Sequence, residues 1–106
     1  MPKYLIAASY SQQGLRGLVK EGGTGRRAAL ERAVGGVGGK LESFYFAFGE
    51  DDVYLICEAP DNASIASVAL AAGAAGGATT KTIVLLTPEE VDQATRKAVD
   101  YRPPGG

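Results

Sequence analysis

The chain has 106 residues, 45% hydrophobic and 22% charged, which suits one small domain with a packed core rather than two domains. With 11 Lys and Arg against 12 Asp and Glu, the formal net charge is -1, so no long-range field draws in nucleic acid or an anionic membrane, and neither is expected as a partner. There is no histidine and one cysteine; the usual general base near neutral pH is missing, no intramolecular disulfide can form, and a zinc or copper site would have almost no ligands.

The opening run MPKYLIAASYS is too short for a signal peptide or a membrane span, so a cytoplasmic location is the default expectation. Lys3 to Tyr10 reads as a first strand. Ser11 can cap a helix in which Leu15, Leu18 and Val19 form an apolar stripe. The helix weakens at Glu21-Gly22-Gly23-Thr24-Gly25. It resumes from Arg26 to Val34 with Ala29, Leu30, Ala33 and Val34 inward, and Gly35 and Gly36 end it. Lys40 to Phe48 is a second strand, Gly49-Glu50-Asp51-Asp52 a turn, and Asp52 to Ala59 a third strand. So short a turn makes the pair an antiparallel hairpin.

Pro60 stops the ladder and Asp61 can cap the next helix, with Ile65, Val68, Ala69 and Ala72 on one side and Gly73, Gly76 and Gly77 at its close. Thr79 to Leu86 is the fourth strand. Thr87-Pro88-Glu89-Glu90 then carries an N-cap, a first-turn proline and a capping-box acid, so a short helix runs to about Val99. The tail cannot be helical past Arg102, which precedes a proline. The order β-α-β-β-α-β with a terminal helix predicts an α+β, ferredoxin-like antiparallel sheet with its helices on one face.

At period two, Val53, Leu55 and Cys57 oppose Tyr54, Ile56 and Glu58. Phe44, Phe46 and Phe48 oppose Leu41, Tyr45 and Ala47. Leu5 and Ala7 oppose Tyr4, Ile6, Ala8 and Tyr10, and Ile83 and Leu85 oppose Val84 and Leu86. Both sheet faces are therefore apolar, and one helix layer covers only one. Self-association through the open face is expected; the alternative is that the terminal helix folds over it.

YLIAASYSQQGLRGL, GGKLESFYFAFGEDDVYLICEAPDN, KTIVLLTPEEVDQA and the DYRPPGG tail together resemble the GYD domain family. Its naming motif is Gly, a variable residue, then Tyr-Asp. Here the segment is Gly49-Glu50-Asp51-Asp52, with Asp51 where tyrosine is usual. The resemblance implies a GYD-like ferredoxin-fold domain over residues 1–100 with a Pro/Gly-rich tail at 101–106. It also implies kinship with small dimeric α/β-barrel proteins, whose paired sheets pack face to face and whose relatives include cofactor-free monooxygenases. No cofactor is implied.

Asp51 and its neighbours are expected to be solvated turn acids, because consecutive side chains rarely converge on the six or so oxygens a hard cation takes. No metal site is expected. Asp52 is the one acid singled out, at the mouth of a sheet-helix pocket. The glycine-rich segment before Arg26 and Arg27 reads as a flexible linker; the other reading is an anion held by helix-start amides and the two arginines. Tyr10, Tyr45 and Tyr54 suit either an interface or a pocket lining. Cys57 reads as a buried small hydrophobe, and Lys81 as an isolated, solvated edge residue. Tyr10, Arg26, Arg27, Asp52 and Tyr54 are thus the ligand-binding candidates. The expected function is assembly or the binding of a small organic ligand; the rival is a cofactor-free enzyme, monooxygenase-like or isomerase-like, with a pocket between sheet and helices.

Overall fold

The computed structural model describes residues 1–106. The elements run β1 (Lys3–Tyr10), α1 (Gln12–Glu21), α2 (Gly23–Gly36), β2 (Lys40–Phe46), β3 (Val53–Glu58), α3 (Asn62–Ala74), β4 (Ala78–Leu85) and α4 (Pro88–Thr95). The four strands form one sheet in the order β2-β3-β1-β4, every neighbouring pair antiparallel. This is the expected α+β, ferredoxin-like arrangement.

Three of the four helix starts have a capping acceptor in place; α2, which begins after Gly22, has none. The Ser11 side chain accepts from Gly14 N–H, Asp61 from Ser64 N–H, and Thr87 and Glu90 close a full capping box. These contacts satisfy amides that have no partner inside the helix. Between α1 and α2 the sequence reading is corrected. Only Gly22, at φ +80, separates the two helices, and Gly23 to Gly25 are helical. The segment is a one-residue break, not a flexible linker. Gly35 and Gly36 likewise stay in α2, and the left-handed glycine that turns the chain out is Gly38 at φ +84.

Glycine is needed for a second reason at Gly14. A Cβ there would stand 2.0 Å from the Gly77 carbonyl oxygen. The missing side chain lets the first turn of α1 lie against the start of β4, where Ser11 N–H donates to the same carbonyl at 3.0 Å.

The core lies between the sheet and the helices. Tyr4, Ile6 and Ala8 from β1, Val53, Leu55 and Cys57 from β3, Val34 from α2 and Ile65 from α3 form it, with Ala59 at the edge. Tyr4 is fully buried, and its hydroxyl donates to Asn62 Oδ1 at 2.7 Å, so the phenol carries no unmet polar group inward. Leu41 also packs against this core, although simple alternation sets it opposite Phe44. The cause is a β-bulge. Leu41 pairs with Cys57 but Ser43 pairs with Ile56, so the register shifts between Leu41 and Ser43. One extra residue reverses the side to which every earlier residue points.

The other face of the sheet is uncovered. Leu5, Ile56 and Leu85 are half-buried along it, Tyr45 is 71% exposed and Ile83 51% exposed. Every residue of α4 and of the tail is exposed, so the terminal helix does not cover this face. Instead it projects: the chain is 55 Å long with a radius of gyration of 16.8 Å, against about 13 Å for a compact domain of this size. No helix is long and apolar enough to cross a membrane.

Candidate functional site

A cavity of about 580 Å3 lies between α2, α3 and the helix-facing side of the sheet. Ile6, Ala8, Phe44, Val53 and Leu55 form its floor. Its walls are mostly alanine: Ala29 and Ala33 from α2, and Ala69, Ala71 and Ala72 from α3 with Ala75 at its C-terminal cap. Small side chains on two facing helices leave space that leucines would fill, which is why the cavity exists. Its volume falls within the roughly 300–1,000 Å3 usual for small-molecule sites.

Few polar groups reach this space. They are Tyr10, Arg26, Ser67 and Thr80, and Arg26 is the sole ionisable group on the wall apart from the Tyr10 phenol. Tyr10 and Arg26 sit at the end where β1 leaves the sheet, beside Gly14, Gly77 and Ala78. Burial raises the pKa of the Tyr10 phenol, with the Arg26 charge pulling the other way, so the hydroxyl keeps its proton at neutral pH and can donate. Arg26 Nε has no solvent contact and makes no hydrogen bond. Glu21 Oε1 is 3.2 Å away, an ion-pair distance, but it lies off the N–H direction. The pair therefore counts as attraction between charges and leaves the donor unmet.

The remaining candidates lie elsewhere. Arg27 points outward and its Nε stands 3.7 Å from Glu31, a surface pair one helical turn away. Asp52 Oδ2 accepts from Tyr10 N–H at 2.8 Å, while its own N–H donates to Ala8 O and its carbonyl accepts from Ala47 N–H. Asp52 thus extends the sheet beyond Val53. It borders a shallower cleft that Tyr10 shares with Leu15, Leu18, Phe46 and Phe48.

Tyr54 is on the uncovered face, in a cluster around Asp51. Asp51 Oδ1 accepts from Ser9 Oγ at 2.9 Å, Tyr54 Oη lies 3.3 Å from Oδ2, and Lys81 Nζ lies 3.4 Å from Oδ1. Asp51 is only 7% exposed, the one buried charged residue. The Ser9 bond, with the Lys81 charge, holds its pKa below the usual carboxylate value against the opposing effect of burial. Burial and the Asp51 charge raise the pKa of Tyr54. Two expectations change here. Asp51 is not a solvated turn acid, and Lys81 is not isolated. At the far end of the same face Lys3 Nζ bonds Glu42 Oε1 at 2.9 Å and lies 3.9 Å from Glu58. That hydrogen bond is the main cause of the raised Lys3 pKa and the lowered Glu42 pKa. The apolar strip is therefore flanked by polar clusters, an apolar centre with a polar rim.

Cys57 is fully buried and its thiol pKa is pushed up by burial, as suits a packing residue rather than a nucleophile. No group of three or more Cys, Asp or Glu side chains is arranged to hold a metal ion.

Comparison with known proteins agrees with this architecture. The model of the GYD domain matches residues 4–95. Among solved structures, the crystal structure of MtbAldR is similar in fold, with a TM-score of 0.60 at 17% identity. The match covers 81% of this chain and 52% of that one, so the chain corresponds to about half of MtbAldR. No curated protein matches the chain.

Proposed function

The chain belongs to the GYD domain family, and from that premise we propose that it is a homo-oligomeric, small-molecule-binding module of the cytoplasm. The observation that carries this reading is the cavity between α2, α3 and the sheet, of about 580 Å3 and alanine-walled. Binding is favoured over catalysis by the wall chemistry. No carboxylate lines the cavity, and a protonated phenol and a guanidinium do not supply a general base near neutral pH.

Self-association rests on a second observation. Only 11 of 106 residues are buried, and the open face keeps an apolar strip between two polar clusters that nothing in the chain covers. Burying a large apolar side chain is worth about 1.5–3 kcal/mol, so several per chain can hold two sheets together.

Native mass spectrometry of protein purified without added ligand tests both parts. The expected spectrum shows a homo-oligomer that takes up about one small apolar molecule per chain when one is supplied. A plain monomer would remove the sheet-to-sheet part. Failure of any apolar molecule to bind would remove the binding part.

A further inference from the structure

We infer that the ligand of this cavity is a monoanion with an apolar body, such as a medium-chain or aromatic monocarboxylate, whose acid group pairs with Arg26. The inference rests on the binding reading above and adds the class of ligand.

Three observations lead to it. First, the charge on the wall is a single positive one, since Arg26 is the only lining residue with a charged side chain. A neutral apolar molecule would fill the space but leave that charge with only Glu21, 3.2 Å away and outside the wall, as its counterpart. A dianion would bring one charge too many into an alanine-lined space. Second, Arg26 lines the cavity while its Nε–H, out of contact with water, makes no hydrogen bond even to Glu21 beside it. Such a group costs free energy until an acceptor arrives, and a carboxylate is the acceptor that a planar guanidinium fits best. Third, the two groups that could hold an acid lie together at one end. Tyr10 and Arg26 meet where β1 leaves the sheet, and the Tyr10 hydroxyl, kept protonated by burial, can donate to the second carboxylate oxygen. Toward Ile6, Leu55, Val68 and Ala72 the lining is apolar except for the Ser67 hydroxyl, which already donates to the Ser64 carbonyl. A molecule with an acid head and an apolar tail has one way to lie in such a space.

Glu21 has a definite part in this account. It stands 3.2 Å from Arg26 Nε and does not line the cavity. It partly neutralises the guanidinium while no ligand is bound, and so competes with the incoming carboxylate.

The test compares octanoate with octanol by isothermal titration calorimetry on the full chain. The two share a tail and differ in the charge of the head. Octanoate is expected to bind about tenfold more tightly than octanol, the scale of one hydrogen bond to a charged group. Arg26→Met, which keeps the apolar stem, should weaken octanoate about tenfold and leave octanol unchanged. Glu21→Gln should tighten octanoate alone. If neither molecule binds, the cavity reading itself fails and this inference with it. If octanol binds as well as octanoate, and neither substitution changes the ratio, the cavity reading stands and the monoanion inference is overturned.

Discussion

On the helix side of the sheet Arg26 reaches an apolar cavity with its Nε unbonded, whereas on the open side Asp51 has Ser9, Tyr54 and Lys81 around its carboxylate. Both charges are set against apolar surroundings, and both belong to stretches that the sequence marks as unusual. The difference lies in how they are satisfied. Asp51 is matched from within the chain, so it reports how the end of β3 is tied to β1 and β4. Arg26 is matched only in part, so it points to something the chain does not contain. The two faces of the sheet differ in the same way. One is covered but not filled, and the other has its charges paired but is not covered.

The largest effect is expected on the open face. Ile56→Asp places a charge in the centre of the apolar strip and touches no part of the helix-side core. It should raise the dissociation constant of the homo-oligomer by about ten- to a hundredfold, from the loss of one buried aliphatic side chain. Analytical ultracentrifugation over a concentration series reads this directly, with the circular dichroism spectrum unchanged. An oligomer insensitive to Ile56→Asp would place the interface elsewhere.

Next come two substitutions within α1 that should act in opposite directions. Alanine is about 1 kcal/mol better than glycine inside a helix. At Gly17 nothing lies within 4 Å of an added Cβ, whereas at Gly14 the Gly77 carbonyl oxygen is 2.0 Å away. Gly17→Ala should therefore stabilise by about 0.5–1 kcal/mol. Gly14→Ala should destabilise by about 1–3 kcal/mol, because the clash is with backbone and α1 must move. Urea unfolding of both proteins separates the two terms.

A smaller effect is expected from filling the cavity. Ala72→Leu should stabilise by about 0.5–2 kcal/mol, as cavity filling commonly does, and weaken octanol binding. A loss of stability with octanol bound as before would mean that this wall of α3 is tighter than the cavity requires.

The smallest effect concerns acid. The folded-state pKa of Asp51 is lowered, so its contribution to stability is present above the unfolded-state value of about 3.9 and is lost as pH falls through the lower folded value. Asp51→Asn should flatten the acid limb of a urea-midpoint against pH profile. Some slope should remain, because Glu42 and Asp61 also have lowered pKa values. An unchanged limb would show that Asp51 is not held by Ser9 and Lys81 in solution.

The sequence was most readable where local chemistry decides the outcome. Caps at Ser11, Asp61 and Thr87, the succession of strands and helices and the doubly apolar sheet all follow from side-chain type and spacing. It was least readable where one residue changes a register. The bulge between Leu41 and Ser43 turns Leu41 to the core side, and no composition signal marks it. The run of glycines after Glu21 looks like a break of several residues, yet tertiary packing keeps all but Gly22 helical. Among the acids of the turn, position favoured Asp52 because it opens the strand. The structure makes Asp52 a sheet contact and buries Asp51, because the chain after Gly49 turns the Asp51 carboxylate back onto Ser9. Of the five candidate residues the cavity brings together two, Tyr10 and Arg26. The alanine wall was visible as residues but not as space, since a run of small side chains permits either close helix packing or a gap.

The most direct test of the account is where an apolar molecule binds. In protein with 13C-labelled Ile, Leu and Val methyl groups, intermolecular NOEs from the octanol chain should reach Ile6, Leu55 and Val68, which line the cavity. NOEs confined to Leu5, Ile56 and Ile83 on the open face, with none to the cavity methyls, would contradict it.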